Sequence, residues 1–382
     1  MKIVQAVLQG DAAISQALAP LSVIAPDLML VFGSARWLSA VAGPLAEQFP
    51  AASRLGCSTA GEISAQGVSD NTCVITAVQF DGTRLQAVST VLAAMLESRA
   101  AGQALARQLH PAGLRGVLVL GQGVHINGSA MITGMTEVLG ANVLITGGLA
   151  GDDAAFKQTF VLTNEGVFSD RLACIGFYGQ ALQVCHGSFG GWEPFGPARK
   201  VTRCDHNVLF ELDGAPALEV YKRYLGEYAK DLPASGLLFP FAMLGSNHNE
   251  VGLLRTILAV DEEQGSLILA GDIDANGYLR LMHSSTQSLI DGATTAALAA
   301  NTTAPPAAQR LALLVSCVGR KLVMGGRVEE EVEAVADVLG QGTVLAGFYS
   351  YGEISPFSND VSCRLHNQTM TITCLAEPTG QS

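Results

Sequence analysis

The sequence has few charged residues and no cationic clusters. Charged residues make up 15% of its 382 residues, the net charge is −12, and no stretch holds more than two adjacent Lys or Arg residues. A surface of this kind would repel a phosphate backbone instead of neutralising it. We therefore expect no nucleic-acid partner.

Long apolar runs and paired cysteines are also missing. The longest nearly uncharged apolar stretch, residues 232–244, is interrupted by two prolines and is shorter than the roughly 20 residues that a membrane-spanning helix needs. The eight cysteines show no C-x-x-C spacing, and most lie inside apolar runs, which is typical of buried thiols in a reducing compartment. We expect a cytoplasmic protein with no membrane partner and no structural zinc.

Standard catalytic motifs are absent from the sequence as well. It contains no G-x-x-x-x-G-K-[ST] phosphate loop, no G-x-S-x-G nucleophile elbow and no H-E-x-x-H zinc motif. With 49% hydrophobic residues, the chain is long and apolar enough for two well-buried cores. These features predict a folded binding protein that is not an enzyme.

An internal repeat is the main positive feature. Residues 55–62, 145–152 and 346–353 each form an apolar strand-like run that ends in a turn closing on Gly and a carboxylate. Each follows another apolar run and a helix-like segment, and such units bring similar loops to one cleft. The pattern predicts a mixed α/β (α+β) fold with mixed sheets, built from repeated strand-helix-strand units in two domains, residues 1–212 and 213–382.

The polar groups of these turns are candidates for ligand contacts, because hydroxyls and exposed amides in a turn can bind a carboxylate or an ammonium group. The turn carboxylates could instead act as a general acid and base, or accept hydrogen bonds from turn amides beside their glycines. The sequence leaves these alternatives open. The candidate residues are Cys57, Ser58, Thr59, Glu62, Asp152, Ser350, Tyr351 and Glu353.

Several runs along the chain resemble the signature sequences of the FIST family. They follow one another in order through essentially the whole chain, at residues 56–63, 148–152, 201–202, 211–218, 316–320, 347–354 and 366–369. The resemblance implies a FIST N-terminal and a FIST C-terminal domain that serve as a sensory, ligand-binding module in bacterial signal transduction. It leaves the ligand open.

Residues 190–197, 209–226 and 232–240 resemble a narrower group of that family, the nitric-oxide-sensing haemoproteins called NosP. This resemblance implies haem b as the cofactor, nitric oxide as the signal, and a histidine kinase or a diguanylate cyclase or phosphodiesterase as the partner. A small polar metabolite such as an amino acid stays open as the ligand, and an enzyme using the loop carboxylates stays open as a second alternative. The sequence also leaves open whether the chain forms a homo-oligomer.

A non-covalent haem needs one axial ligand in an apolar pocket, and seven histidines are available for that role. His186 is the first choice, because it ends a predicted apolar strand beside the Gly-rich loop that carries Trp192 and Phe195, whose rings could form pocket walls. His366 is the second choice, although its His-Asn-Gln-Thr context also indicates a structural hydrogen-bond corner. Trp192 and Phe195 could equally be loop anchors packed on a core.

Overall fold

The computed structural model describes residues 1–10, 13–301, 309–357 and 362–378, which form three repeated units and one inserted segment. The elements of the first repeat are β1 (Lys2–Leu8), α1 (Ile14–Leu18), a 3-10 helix (Ala19–Val23), β2 (Leu28–Gly33), α2 (Ala35–Gln48), β3 (Ser53–Ser58), β4 (Glu62–Ser64), β5 (Gly67–Ser69) and β6 (Cys73–Gln79).

The second repeat has the same order of strands, with a short hairpin again preceding its last strand. Its elements are β7 (Arg84–Val91), a 3-10 helix (Met95–Glu97), α3 (Ser98–Ala106), β8 (Leu114–Gly121), α4 (Gly128–Leu139), β9 (Leu144–Leu149), β10 (Val161–Thr163), β11 (Gly166–Phe168) and β12 (Arg171–Tyr178).

The third repeat starts with one strand and is then interrupted by an insert. We use "the insert" for residues 190–285. The repeat's first strand and the insert comprise β13 (Gln183–Phe189), β14 (Glu193–Pro194), β15 (Arg199–Asp205), β16 (Val208–Leu212), β17 (Ala215–Pro216), α5 (Ala217–Leu225), two 3-10 helices (Gly226–Asp231 and Ala234–Leu238), β18 (Phe241–Leu244), β19 (Glu250–Arg255), β20 (Ile257–Asp261), β21 (Ser266–Leu269) and β22 (Tyr278–His283).

After the insert, the third repeat resumes and completes the pattern. Its remaining elements are α6 (Thr286–Asn301), β23 (Arg310–Cys317), α7 (Val318–Met324), a 3-10 helix (Gly325–Arg327), α8 (Glu329–Leu339), β24 (Thr343–Ser350), β25 (Gly352–Pro356), β26 (Cys363–His366) and β27 (Met370–Ala376).

Each repeat builds a six-stranded mixed sheet and receives its outer hairpin from another repeat. The strand orders are β1-β6-β2-β3-β10-β11, β7-β12-β8-β9-β25-β26 and β13-β27-β23-β24-β4-β5. The central pairs β2/β3, β8/β9 and β23/β24 are parallel, and the other pairs are antiparallel. The hairpins are thus exchanged in a closed cycle, which ties the three repeats into one unit and confirms the predicted mixed α/β fold of repeated units.

One apolar core is shared by the three sheets. Strand β2 is buried along its whole length, as expected for a strand covered on both faces. Phe32 of the first repeat stacks on Phe348 of the third, with 4.7 Å between ring centroids, and Leu118 of the second repeat and Val315 of the third belong to the same cluster. Burial of these side chains supplies the main favourable free energy for joining the repeats.

One glycine in each repeat allows the parallel strands to approach closely. A Cβ atom on Gly56, Gly147 or Gly347 would overlap a backbone carbonyl oxygen of the neighbouring parallel strand. Gly147 also has φ +139°, a backbone conformation that side chains of L-residues rarely adopt. These glycines belong to the three runs in which the sequence showed its repeat.

Helices α4 and α3 compare differently with the sequence pattern. For the helix ending at Leu139 the sequence offers Asn127 or Ser129 as the N-cap, and in the structure Asn127 caps α4, accepting a hydrogen bond from the Ala130 N–H at 3.0 Å. The Ala-rich pattern over residues 92–109 predicts one helix, but in the structure a 3-10 helix comes first and α3 runs only from Ser98 to Ala106. The preceding strand β7 was missed, since it lies at the edge of its sheet and is only partly buried along its length.

The insert folds as a nine-stranded sheet of its own, with α5 packed on one face. Its two ends are held together where it leaves and rejoins the third repeat. Strand β14 pairs with the end of β22, and the Ser284 hydroxyl donates to the Gly191 carbonyl oxygen at 2.7 Å. The predicted boundary after Leu212 falls at the turn between β16 and β17, and the division into two domains there stays a prediction.

The helices of the described ranges were compared with the requirements for a membrane span. No helix there combines the length and the apolar character that a membrane span requires.

Candidate functional site

The three Gly-carboxylate turns meet at the centre of the molecule. Each turn donates one backbone hydrogen bond to the next, so that the three bonds close a ring. These bonds run from the Gly151 N–H to the Ser58 oxygen at 2.8 Å, from the Ala60 N–H to the Tyr349 oxygen at 2.9 Å and from the Tyr351 N–H to the Leu149 oxygen at 3.2 Å. The predicted convergence of the turns is therefore present in the fold.

In the first turn, Glu62 is a buried acceptor of hydrogen bonds. Its carboxylate accepts from the Thr59 hydroxyl, from the Thr72 N–H at 3.0 Å and from the Thr72 hydroxyl at 2.7 Å. Burial raises the pKa of Glu62, and these hydrogen bonds partly offset that effect. The side chain thus ties the turn to the residue that precedes β6.

Glu353 has the same role in the third turn. It accepts from the Ser350 hydroxyl at 2.8 Å, from the Thr369 N–H at 3.1 Å and from the Thr369 hydroxyl at 2.9 Å. Burial raises the pKa of Glu353 to about 8, against the lowering effect of these hydrogen bonds. The match between the first and third turns extends from their sequences to the donors around each carboxylate.

In the second turn, Asp152 organises the loop that follows it. Its two oxygens accept from the backbone N–H groups of Phe156, Lys157 and Gln158 at 2.7–2.9 Å. The Tyr351 hydroxyl of the third turn also donates to Asp152. Asp152 therefore stabilises a loop and joins the second turn to the third.

The other predicted turn residues are equally enclosed. The Ser58 hydroxyl donates to the Gly151 oxygen at 2.7 Å and accepts from the Phe160 N–H at 2.8 Å. Cys57 is fully buried, and burial raises the pKa of its thiol, which keeps it protonated and unreactive. In this structure these side chains hold the turns together, and a direct role in ligand binding stays a prediction for them.

A cavity of about 550 Å³ lies between the insert and the third repeat. The insert's wall is mostly apolar and includes Ala242, Leu244, Gly252, Leu254, Arg280 and Met282. The wall from the third repeat and its link to the insert includes Ser188, Trp192, Thr295, Phe357, His366 and Thr369. Small-molecule sites occupy about 300–1,000 Å³ and combine apolar walls with a few polar groups, so this cavity has the size and character of a ligand site.

The two predicted aromatic residues have different positions. The indole of Trp192 lines the cavity, and its N–H donates to the Gln368 carbonyl oxygen at 2.8 Å. Trp192 is thus both a loop anchor and part of a pocket wall. Phe195 instead packs near Phe239 and His283, at centroid distances of 6.4 and 5.6 Å, and is not among the described residues that line the cavity.

The two predicted histidines also differ. His186 lies in the middle of β13, paired with Thr373, because this strand continues beyond its predicted end to Phe189. Burial lowers the pKa of His186, and the cavity wall, as far as the structure describes it, excludes this residue. The expectation that His186 ends its strand at the pocket mouth is corrected, while haem ligation by it stays untested.

His366, the second choice, lines the cavity. Its Nε2 lies 2.8 Å from the Ser355 carbonyl oxygen, which requires Nε2 to carry the proton and donate. Burial lowers the pKa of His366 to about 4, so the ring is neutral at physiological pH and Nδ1 keeps its lone pair. A neutral imidazole fixed in this way is the usual form of a metal-ligating histidine.

Sequence reasoning missed Arg280, the cavity's cationic group. Arg280 lies on β22 between Leu279 and Leu281, which both pack in the insert's core. Because side chains alternate along a strand, Arg280 faces the cavity. Its buried Nε has no hydrogen-bond partner within the described part of the chain. The alternation was visible in the sequence, but the surface that this face would meet was not.

No cluster of three or more His, Cys, Asp or Glu side chains suited to a metal ion occurs among the described residues. A site that needs several protein ligands is therefore not apparent in those ranges. Haem differs, since its iron is held mainly by the porphyrin and needs one axial side chain.

Comparison with solved structures gives only distant likenesses. The chain resembles a cyanuric acid hydrolase from A. caulinodans with a TM-score of 0.36 and 8% identity over 99% of both chains. A second cyanuric acid hydrolase structure gives a TM-score of 0.35 and 11% identity, covering 98% of this chain and 99% of the other. Likenesses at this level carry no argument about function.

A curated relative matches part of the chain. An uncharacterized protein of Methanocaldococcus jannaschii is 29% identical over 164 residues, which are 38% of this chain and 31% of the relative. The match thus spans about a third of the relative's length.

Two family models cover most of the sequence. The FIST N domain matches residues 27–215, and the FIST C domain matches residues 217–356. FIST domains are sensory domains. The first model includes the second repeat entirely, and the point where the two models meet lies inside the insert. The chain therefore belongs to the FIST family.

Proposed function

We propose that this protein is a non-catalytic sensor that binds one small ligand in the cavity between the insert and the third repeat, and signals its occupancy to a partner protein. The observation that carries the proposal is the cavity itself, whose walls are apolar except for a few polar groups. Sensory FIST domains fit this role. The hydrogen bonds that Glu62, Asp152 and Glu353 accept support a structural use of the turn carboxylates, not a catalytic one.

The proposed ligand is haem b, and nitric oxide is the proposed signal. The residues present fit this group, because apolar and aromatic walls suit a porphyrin and Arg280 suits an acid group. His366 would supply the axial nitrogen, with its other ring nitrogen fixed on Ser355. When bound, haem iron provides a site at which a diatomic gas can coordinate.

A route from the cavity to the centre of the molecule supports signalling. Thr369 lines the cavity, and both its N–H and its hydroxyl donate to Glu353 in the third turn. A ligand that displaces Thr369 would change the contacts of a turn that touches both other repeats. A shift in the relative stability of two arrangements is how occupancy reaches a partner, here proposed as a histidine kinase or an enzyme of cyclic-di-GMP metabolism.

The test is an absorption spectrum of the full chain produced with haem supplied. We expect a Soret band that moves when nitric oxide is added. His366→Gln should lose the band or shift it, because Gln can still donate to Ser355 but is a poor iron ligand. His186→Gln is the matched control and should keep the wild-type spectrum.

Other outcomes would redirect the proposal. Loss of the band only in His186→Gln would assign the axial ligand to His186 on β13. A colourless protein whose melting temperature rises with an amino acid would favour the polar-metabolite alternative, since a ligand that binds only the native state raises that temperature. A protein stabilised by neither haem nor any amino acid would overturn the proposed site.

A further inference from the structure

The charge of the cavity defines the class of ligand more closely than its size does. Arg280 is the one side chain with a full charge among the described residues that line it. No salt bridge of Arg280 occurs in the described part of the chain, although nine other Lys and Arg residues there have one. Arg54 differs again, since carbonyl oxygens accept its hydrogen bonds.

The surroundings of Arg280 offer its Nε atom no acceptor among the described residues. Its neighbours across the sheet are Ala242 and, beyond it, Leu254, which cannot hydrogen-bond to a guanidinium through their side chains. The Nε atom is buried and lacks a partner among the described residues. A buried donor without an acceptor costs free energy that a bound acceptor would recover.

We infer that Arg280 recognises an acid group on the ligand, so that the ligand class is an apolar or aromatic body bearing at least one carboxylate. This inference rests on the proposed function, since it concerns the same cavity. A guanidinium presents its N–H donors in a fixed fork that matches the two oxygens of a carboxylate. The apolar side chains around it select the body of the ligand, and Arg280 selects its charge.

Two sources of this chemistry are separable by experiment. Haem carries two carboxylates on an apolar ring, and a fatty acid carries one on a chain. Haemin and its dimethyl ester form one matched pair of probes, and decanoate and decanol form the other. Binding of each to the full chain is followed by quenching of Trp192 emission, because Trp192 lines the cavity and the only other tryptophan, Trp37, is buried in the first repeat.

The expected result is a preference for the acid over its neutral partner in at least one pair. Arg280→Gln should weaken binding of that acid about ten- to a hundredfold and leave its neutral partner unchanged. The melting temperature of Arg280→Gln should stay the same or rise, because the substitution removes no salt bridge to a described residue and no hydrogen bond of the Nε atom. Arg203→Gln, which removes an exposed pair with Glu211 on the same insert, is the control and should bind as the wild type does.

The outcomes separate the two levels of the proposal. Equal binding of acid and neutral partner, unchanged in Arg280→Gln, would overturn the role of Arg280 while leaving the cavity as a ligand site. Absence of binding for all four probes would overturn this ligand class. If no amino acid stabilises the protein either, the proposed function fails with it.

Discussion

The first two repeats and the third share one strand order but differ in what separates their first strand from the next helix. In the second repeat, β7 is followed by α3 after one short 3-10 helix. In the third, the whole insert stands between β13 and α6. The repeats pack around one shared core, whereas the insert packs on the third repeat in a way that encloses a cavity between them. The comparison teaches that the repeats provide the framework and that the candidate site depends on the interruption.

The insertion point has a buried clamp, and its removal should give the largest effect. Arg320 is fully buried and pairs with Glu331 at 2.7 Å, while it also donates to the carbonyl oxygens of Leu289 and Gly190. Arg320→Met should lower the free energy of unfolding by about 3–5 kcal/mol, because Glu331 is left buried without its partner. Urea denaturation measures this loss.

The control for this clamp is Arg327→Met, which removes an exposed pair with Glu330 and should leave stability unchanged. A loss for Arg320→Met as small as that of the control would contradict the clamp.

Adding a Cβ atom where two parallel strands approach closely should destabilise the repeats with and without an insert to the same extent. Gly56→Ala and Gly347→Ala should each cost about 1–3 kcal/mol, because the added Cβ overlaps a carbonyl oxygen of the neighbouring strand. Thermal unfolding of the two variants checks this. Gly43→Ala, in the exposed interior of α2 with open space around it, should be neutral or stabilising. A large difference between Gly56→Ala and Gly347→Ala would break the equivalence of the repeats.

The equivalent carboxyl groups Glu62 and Glu353 of the first and third turns predict how the free energy of unfolding varies with pH. Because the pKa of Glu353 is about 8 in the folded protein and near 4.3 in the unfolded chain, the folded state binds more protons between these values. Stability should therefore fall as pH rises from about 4.5 to about 8. Glu353→Gln should make the melting temperature less dependent on pH over this range, and Glu62→Gln should act in the same direction. If the slope of melting temperature against pH is unchanged in both variants, these carboxylates are ionised in the folded protein and the prediction is wrong.

Ligand binding should change amide hydrogen exchange beside the third turn but not beside the first. This is the smallest of the expected effects. Thr369 donates to Glu353 and lines the cavity, whereas its counterpart Thr72 donates to Glu62 in the first repeat, away from it. Haemin should slow amide hydrogen exchange at Thr369 and leave exchange at Thr72 unchanged. Equal slowing at both sites would indicate a general stabilisation of the fold, and the proposed route through Thr369 would be wrong.

The repeat and its turns could be read from the sequence because they depend on local order. Runs such as Leu28–Gly33 are apolar throughout, and Asn127 is a strong helix cap. The exchange of hairpins could not be predicted, because β4 pairs with β24 across most of the chain. Such pairing leaves no local signal.

The candidate site was harder to predict for the same reason. Trp192 and His366 were identified, but His186 was preferred over His366 because its strand was predicted to end three residues early. In the sequence, Arg280 has the pattern of a polar residue on the solvent-exposed face of an ordinary strand. Only the packing of the insert on the third repeat turns that face into a cavity wall.

The most direct test of the account fills the cavity from the insert's side. Ala242 lines it, and Ala242→Phe should abolish haemin binding in an equilibrium titration while leaving the melting temperature close to that of the wild type. Ala275→Phe, at an exposed turn of the insert, is the matched control and should bind normally. Undiminished haemin binding by a folded Ala242→Phe variant would contradict the claim that the ligand lies between the insert and the third repeat.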